Sequence, residues 1–155
     1  MSRCAIPAFQ LSRFLPFRLN RLAAEISEQL SALYAERFQI DIPQWRVLAT
    51  LSAGGDWTAR AIVASTRTHK STISRAVEAL ADRGLIESVQ SKEDKREYRL
   101  RLTSSGRRLF RELEPLVLDY EKRLLNQLGD SEERRMEKAI GALERALGLG
   151  QESAK

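Results

Sequence analysis

Short polar and basic side chains cluster in the segment Lys-Ser-Thr-Ile-Ser-Arg at residues 70–75. Ile73 and Val77 lie four residues apart, a spacing that predicts a helix with both side chains on its buried face. The hydroxyl side chains and Arg75 would then lie on the outer face, near the N-terminal end of the helix. Such side chains can hydrogen-bond to base edges in the major groove of duplex DNA, and Arg75 could bind either guanine or a phosphate. The residues that this pattern places in a DNA groove are Ser71, Thr72, Ser74 and Arg75.

A second charged segment, Gln-Ser-Lys-Glu-Asp-Lys-Arg-Glu at residues 90–97, separates two short stretches in which apolar residues recur at a period near two. This change of period over residues 85–89 and 98–102 predicts two strands joined by a charged tip, which is a β-hairpin. Arg96 at the tip could enter the minor groove beside the helix, where narrow A·T-rich DNA concentrates negative potential. Asp94 could orient the Arg96 guanidinium through a bidentate pair without itself touching DNA. The cations expected to contact phosphates, and so to position the protein without reading sequence, are Arg60, Lys70, Lys92 and Lys95.

Positive charge is concentrated around these two segments. Between Trp57 and Arg108 the sequence has 12 Lys and Arg against six Asp and Glu, whereas the remaining residues have 14 against 15. The net charge of +5 therefore comes from the middle third of the chain, as expected for a surface that faces DNA phosphates. The ordinary alternative is a solvated surface, on which Asp94 and Arg96 form an exposed turn pair that contributes little to stability.

Helices on both sides must hold these segments in place, and apolar residues that recur every three or four positions predict six of them. Pro43 suits the first turn of the second helix, Gly84 suits a left-handed stop for the fourth, and Gly129 separates the last two. The predicted helices are Leu15 to about Phe38, Gln44 to Leu51, Thr58 to about Ser65 with Thr58 or Asp56 as N-cap, Lys70 to Arg83, Thr103 to Leu128, and a last helix with Asp130 or Ser131 as N-cap.

A short helix, a turn, a longer helix and a charged hairpin follow one another in the order of a winged helix-turn-helix. Asp94-Lys95-Arg96 followed by Leu102-Thr103 resembles the D-x-R … L-T signature of MarR-family regulators, and residues 70–86 resemble that family's recognition helix and its exit. The resemblance implies a transcription regulator, more often a repressor than an activator. It also implies a mainly α fold with a small β-hairpin wing, in which a winged helix-turn-helix is flanked by N- and C-terminal dimerisation helices. The expected division is an N-terminal tail and long helix at residues 1–40, the DNA-binding domain at 41–102 and the C-terminal dimerisation helices at 103–155.

The apolar stripes of the first and last two helices exceed what a compact DNA-binding domain of this length can bury. Such stripes in a soluble protein call for a partner, and a two-fold homodimer would suit a palindromic operator in double-stranded DNA. The alternative is that the same helices pack into a three-helix bundle within one chain.

Aromatic and basic residues near the first two helices suggest a site for a small-molecule effector. In relatives, small molecules that are often aromatic acids bind between the dimerisation helices and the winged domain. An aromatic wall with one or two arginines would suit a planar carboxylate. The alternatives are that these residues are ordinary core and surface, and that the protein is a constitutive DNA-binding or architectural protein without an effector. The residues predicted to line the site are Phe14, Leu15, Phe17, Arg18, Trp45 and Arg46.

Other functions find little support in the sequence. We find no Gly-rich phosphate loop, nucleophile elbow or paired carboxylates, so we do not expect an enzyme or a cofactor. With one histidine and one cysteine, no metal site is expected. Cys4 is not expected to be a redox sensor, and His69 is expected to be an ordinary surface or capping residue. The sequence predicts neither a signal peptide nor a membrane span, which favours a cytoplasmic protein.

Overall fold

The computed structural model describes residues 9–55, 57–91 and 96–149. Over these residues the chain forms seven α helices, a short 3-10 helix at Leu11–Arg13 and a two-stranded antiparallel sheet. The predicted fold, mainly α with a small β-hairpin wing and with helices before and after the winged segment, is confirmed. In chain order the elements are α1 (Leu15–Ala32), α2 (Ala35–Phe38), α3 (Ile42–Ser52), α4 (Ala59–Thr66), α5 (Lys70–Asp82), β1 (Ile86–Gln90), β2 (Tyr98–Leu102), α6 (Ser104–Leu125) and α7 (Asp130–Ala146).

The first helix was predicted to run from Leu15 to about Phe38, and its predicted end is wrong. α1 stops at Ala32, the chain turns at Leu33 and Tyr34, and the one-turn helix α2 follows. Tyr34 leaves the α conformation (φ −123°, ψ −18°), and its side chain is only 1% exposed. Tyr34 and Phe38 are both buried in the core, so the burial of two aromatic rings overrides the local helical preference of this segment.

Side-chain caps fix where the central helices begin. The carboxylate Oδ1 of Asp41 accepts a hydrogen bond from the backbone N–H of Gln44 (2.8 Å), and Oε1 of Gln44 accepts one from the N–H of Asp41 (3.1 Å). This capping box starts α3 two residues earlier than predicted. Oγ1 of Thr58 accepts a hydrogen bond from the N–H of Ala61 (3.1 Å), so Thr58 is confirmed as the N-cap of α4. The other predicted cap, Asp56, lies outside the described residues, as does Cys4.

The N-cap predicted for the last helix is wrong. Gly129 holds that position with φ +79°, and Asp130 is already the first residue of α7. Glycine adopts this positive φ without a steric penalty, so no side-chain cap is needed to redirect the chain. Three acidic side chains in the first turn interact favourably with the positive end of the helix dipole. They are Asp130, Glu132 and Glu133.

The base of the wing is part of the core. β1 and β2 pair with Ile86 opposite Leu102 and Gln90 opposite Tyr98. The N–H of Leu100 donates to the carbonyl of Trp57 (2.7 Å), so Trp57, which lies just before α4, adds a short bridge to the sheet. The side chains of Ile86, Leu100 and Leu102 are buried, which anchors the hairpin beside the helices that precede it.

One hydrophobic cluster joins the elements of the winged domain to those on either side. It contains Val47 and Leu48 of α3, and also Tyr34 and Ile40 from before residue 41 and Leu113 from after residue 102. The core therefore crosses both of the predicted domain boundaries. The division at residues 40 and 102 stays a prediction about the roles of the segments.

Candidate nucleic-acid interface

The helix α5 has one buried face and one exposed face. Ile73, Ala76 and Leu80 are buried at helical spacing and belong to the core. The opposite face carries short polar and basic side chains: Lys70, Ser71, Ser74 and Arg75 are exposed, and Thr72 is half-buried. The structure therefore brings the residues predicted for the major groove onto the outer side of one helix.

His69 caps this helix. Its Nδ1 accepts a hydrogen bond from the backbone N–H of Ser71 (3.3 Å) and lies 2.8 Å from the hydroxyl oxygen of Ser71. Because Nδ1 is an acceptor here, a neutral ring carries its proton on Nε2. The prediction that His69 is a surface or capping residue is confirmed, and the cap fixes the N-terminal end of α5.

Arg60 of α4 lies on the same side as the outer face of α5. Arg60, Lys70 and Ser74 all line a cavity of about 310 Å³ between the two helices, with Val63 and Ile73 among the apolar residues of its wall. Two cations predicted to contact phosphates and a hydroxyl predicted to read bases thus line the same cavity. This arrangement is what a helix-turn-helix needs in order to lie across a DNA groove.

Hydrogen bonds of Arg46 and Thr68 stabilise the turn between α4 and α5. Arg67 in this turn has φ +52°, a left-handed conformation that is unfavourable for residues other than glycine. Nη1 of Arg46 donates to Oγ1 of Thr68 (3.2 Å), and Oγ1 of Thr68 donates to the carbonyl of Thr66 (3.3 Å). Arg46, which the sequence suggested for an effector site, therefore holds the helix-turn-helix turn.

The wing residues are described only in part. Arg96 is exposed at the beginning of the segment that leads into β2. Lys92, Asp94 and Lys95 lie outside the described residues, so the pairing predicted between Asp94 and Arg96 stays a prediction.

The residues after the wing have a structural role that the sequence motif did not specify. Oγ1 of Thr103 donates to the carbonyl of Gly84 (2.6 Å) and accepts from the N–H of Gly106 (3.0 Å). A Cβ at Gly106 would lie 1.9 Å from the carbonyl oxygen of Leu85. Thr103 and Gly106 therefore allow α6 to pack directly on the turn that follows α5.

The six residues predicted for an effector site fall into two groups within one chain. The first group lies at the start of α1, where Leu15 and Arg18 line an open groove of about 590 Å³. Phe14 contacts Phe9, with the ring centroids 5.5 Å apart. The centre of the Phe17 ring lies 5.7 Å from Cζ of Arg21. Beyond the other end of α1, Trp45 lies between Tyr34 (5.8 Å) and Phe110 (5.9 Å). From Arg18 to the end of α1 at Ala32, 14 residues of helix separate the two groups, a length of about 21 Å.

Tyr34 is the residue of this second group that sequence reasoning missed. Its hydroxyl is buried and has no hydrogen-bond partner among the described residues. Burial raises the pKa of Tyr34 to about 12, and the nearby carboxylate of Asp41 acts in the same direction. The phenol therefore stays neutral throughout the physiological pH range.

Comparison with known proteins agrees with this geometry. Residues 38–97, from the end of α2 to just before the second strand of the wing, match the family model of the MarR family. The whole fold is similar to the crystal structure of a MarR/EmrR family transcriptional regulator from Acinetobacter sp. ADP1, with 26% sequence identity and a TM-score of 0.81 over 91% of this chain and 99% of that one. The chain is therefore similar to MarR-family regulators in both sequence and fold.

This chain is similar to two further proteins that carry informative names. It is 23% identical over 132 residues to the HTH-type transcriptional repressor IacR of Pseudomonas putida, covering 85% of this chain and 78% of that protein. It is 25% identical to the PcaV transcriptional regulator of Streptomyces coelicolor, whose structure is in complex with its natural ligand; the match has a TM-score of 0.71 and covers 92% and 99% of the two chains.

The matched family model and the fold are those of DNA-binding transcription regulators and not of enzymes. The described residues thus have the winged-helix fold of such regulators. Among its described residues, no helix is both long and apolar enough to cross a lipid bilayer.

Proposed function

We propose that this protein is a dimeric repressor that binds a palindromic operator and releases it when a small aromatic acid binds. The observation that carries the proposal is the outer face of α5, on which Lys70, Ser71, Ser74 and Arg75 are exposed while Ile73 packs inside. A rigid helix with short polar side chains and flanking cations fits the major groove.

Each residue of the predicted DNA-binding set has a proposed role in the complex. Base edges would be read by side chains of the outer face of α5, and Arg96 would enter the adjacent minor groove. Phosphates would be bound by Arg60 and Lys70, together with Lys92 and Lys95 of the hairpin, while Asp94 would orient Arg96. The residues proposed to read base edges in the major groove are Ser71, Thr72, Ser74 and Arg75.

Exposed apolar side chains on α1 and α7 support a dimer. Leu15 and Leu22 of α1 are 50% and 56% exposed, and Leu147, which follows α7, is 71% exposed. Leu19 of α1 and Ile140 of α7 are exposed as well. A second copy of the chain would cover these surfaces by two-fold symmetry, and the same symmetry would place the two α5 helices on two half-sites.

The names of two relatives support the sign of regulation and the response to a ligand. The similar protein of Pseudomonas putida is a repressor, and the similar protein of Streptomyces coelicolor binds a natural ligand. A ligand that binds better to the conformer with misplaced α5 helices would release DNA by population shift.

We place the effector in the groove at the start of α1, at the edge of the surface that the second copy would cover, and not beside Trp45. Arg18 and Arg21 line the groove there together with Leu15, and two acidic residues, Glu25 and Glu28, lie further along it. Glu25 follows Arg18 by seven residues of helix, about 10 Å, so a carboxylate could pair with Arg18 away from the acidic end. The other residues of the predicted set in this region are Phe14 and Phe17, whereas Trp45 and Arg46 have structural contacts.

Selection of DNA by the purified protein tests the proposal. A random duplex library is incubated with the protein, bound duplexes are sequenced, and the enriched duplex is used in gel-shift titrations with and without benzoate-type acids. We expect enrichment of an inverted repeat, and release of that duplex by at least one acid that also raises the melting temperature of the protein. Enrichment without any responding acid would favour a constitutive DNA-binding protein, and no enrichment would contradict the proposal.

Arg18→Ala separates the effector site from the DNA site. The variant should bind the selected duplex like the wild type and lose most of its response to the acid. Arg145→Ala, a change of the same type on α7, is the matched control and should keep the response.

A further inference from the structure

The guanidinium of Arg83 connects the C-terminal end of α5 to the end of α2. Arg83 is the C-cap residue of α5. Its Nη1 and Nη2 donate hydrogen bonds to the carbonyl oxygens of Gln39 (2.6 Å) and Phe38 (2.8 Å). These partners lie 44 and 45 residues earlier in the chain, so the contact is a tertiary link and not a feature of the helix itself.

The end of α2 is suited to receive this side chain. The last carbonyl groups of a helix lack partners within the helix and carry partial negative charge, so a cation stabilises them. Gln39 holds the left-handed backbone conformation (φ +54°, ψ +46°), and its Nε2 donates to the carbonyl of Glu36 (2.7 Å). An unfavourable backbone conformation persists where the surroundings over-determine it, and the bonds from Arg83 are part of those surroundings.

The two tied elements have different jobs in the proposed complex. α2 follows directly after α1, the helix proposed to pair in the dimer, whereas α5 is the helix proposed to enter the DNA groove. His69 fixes the N-terminal end of α5, and Arg83 fixes its C-terminal end to the chain that continues α1. A polar link therefore runs from the dimerisation segment to the rear of the recognition helix.

We propose that Arg83 is a positioning residue that fixes the angle of α5 relative to the dimerisation helices, and so sets the half-site spacing that the dimer accepts. This inference rests on the proposed function. In this proposal Arg83 acts through α5, because each of its terminal nitrogens donates a hydrogen bond to the end of α2.

The chemistry of the link predicts which substitutions preserve it. The planar guanidinium presents two donors in a fixed fork, which matches two consecutive carbonyls. Lysine keeps the charge and can reach one carbonyl without fixing the angle. Methionine keeps much of the stem and loses every donor. Arg37, whose guanidinium lies 4.9 Å from the centre of the Phe38 ring, is a matched cation of the same junction, so Arg37→Met is the control.

The test uses the duplex selected by the wild-type protein and two copies of it with one or two base pairs inserted between the half-sites. Affinities of wild type, Arg83→Met, Arg83→Lys and Arg37→Met are measured at several salt concentrations, and thermal unfolding confirms that each variant is folded. We expect Arg83→Met to bind the native duplex about tenfold more weakly, which corresponds to one charge-assisted hydrogen bond. It should also lose most of the wild-type preference for native spacing, while Arg83→Lys is intermediate and Arg37→Met resembles the wild type.

Two results in these titrations would overturn the inference. One is an Arg83→Met variant with the wild-type preference for native spacing, since a residue that only stabilises the fold would leave that preference unchanged. The other is a salt slope that falls by about one in Arg83→Met, which would make Arg83 a phosphate contact.

Hydrogen exchange without DNA keeps the inference separate from the proposed function. Peptides that cover residues 36–41 and 79–86 should exchange faster in Arg83→Met than in the wild type or in Arg37→Met. Unchanged exchange in both peptides would overturn the link itself. Failure of the wild type to select any duplex would contradict the proposed function, and the exchange data would still decide whether Arg83 holds α5.

Discussion

The indole ring of Trp45 lies parallel to the phenyl ring of Phe110, with the ring centroids 5.9 Å apart and an interplanar angle of 5°. The pair joins α3, which supports the recognition helix, to α6, which leads towards the proposed dimer surface. Aromatic pairs at this separation contribute about 1 kcal/mol beyond the burial of their area. The contact therefore connects the DNA-binding segment to the helices that follow it.

A double-mutant cycle tests this contact. We expect Trp45→Leu and Phe110→Leu each to lower the free energy of unfolding, and the double variant to lose about 1 kcal/mol less than the sum, because the ring contact can be lost only once. Urea unfolding of the four proteins at one fixed concentration gives the coupling energy. Losses that add to within about 0.3 kcal/mol would show that the two rings are neighbours without interacting.

The buried hydroxyl of Tyr34 should cost stability. It has no partner among the described residues, and an unsatisfied buried hydroxyl is unfavourable by about 1–3 kcal/mol. We expect Tyr34→Phe to raise the melting temperature and the free energy of unfolding. Tyr120→Phe is the control, because Oη of Tyr120 lies 3.4 Å from the carbonyl of Ile26 and its removal brings no gain. A clear loss of stability in Tyr34→Phe would mean that the hydroxyl has a partner.

Tyr34 also predicts how stability changes at alkaline pH. Because burial raises its pKa from the ordinary value of 10.0 to about 12 in the folded protein, the unfolded chain loses this proton first. Ionisation of Tyr34 therefore leaves the free energy of unfolding unchanged below about pH 10 and lowers it as the pH rises to about 12. Over this pH range the free energy of unfolding of the wild type should therefore decrease by roughly 2–3 kcal/mol more than that of Tyr34→Phe. Parallel pH profiles of the two proteins in chemical unfolding would contradict the assignment.

Gly106 should tolerate no side chain. A Cβ there would meet the carbonyl oxygen of Leu85 at 1.9 Å, and this backbone atom can move only if the start of α6 moves with it. We expect Gly106→Ala to lower the free energy of unfolding by about 2–3 kcal/mol, as overpacking does elsewhere. Ser105→Ala, at an exposed neighbouring position of the same helix, should change it by less than about 0.5 kcal/mol. Equal stability of the two variants would refute the close approach.

The parts of the fold that local patterns determine were predictable from the sequence. Ile73 and Leu80 recur at helical spacing, and Gly84 follows them with φ +65°, so the recognition helix and its end could be read directly. The turn at Tyr34 could not be read, because residues 30–38 have ordinary helical preferences and the burial of Tyr34 depends on Trp45, eleven residues further on. Local sequence likewise favoured a polar N-cap before α7, where the chain uses Gly129.

The sequence predicted the DNA-binding residues of α5 more accurately than the effector site. Exposed residues of α5 follow from helical periodicity, since one face must be buried. The predicted effector residues were chosen by residue type and by their order along the chain. Neither property determines how far apart two side chains lie in the fold, and α1 places Phe14 and Trp45 far apart. The link from Arg83 to Gln39 spans 44 residues, and only the folded chain brings the two together.

Binding of the selected duplex by Arg75→Ala tests the central claim most directly, that the exposed face of α5 holds DNA. Arg134→Ala, which removes an exposed cation of the same type from α7, is the control. If the account is right, Arg75→Ala remains folded and binds the duplex about 1–3 kcal/mol more weakly than the wild type, whereas Arg134→Ala binds like the wild type. A folded Arg75→Ala protein with wild-type affinity for the duplex would contradict it.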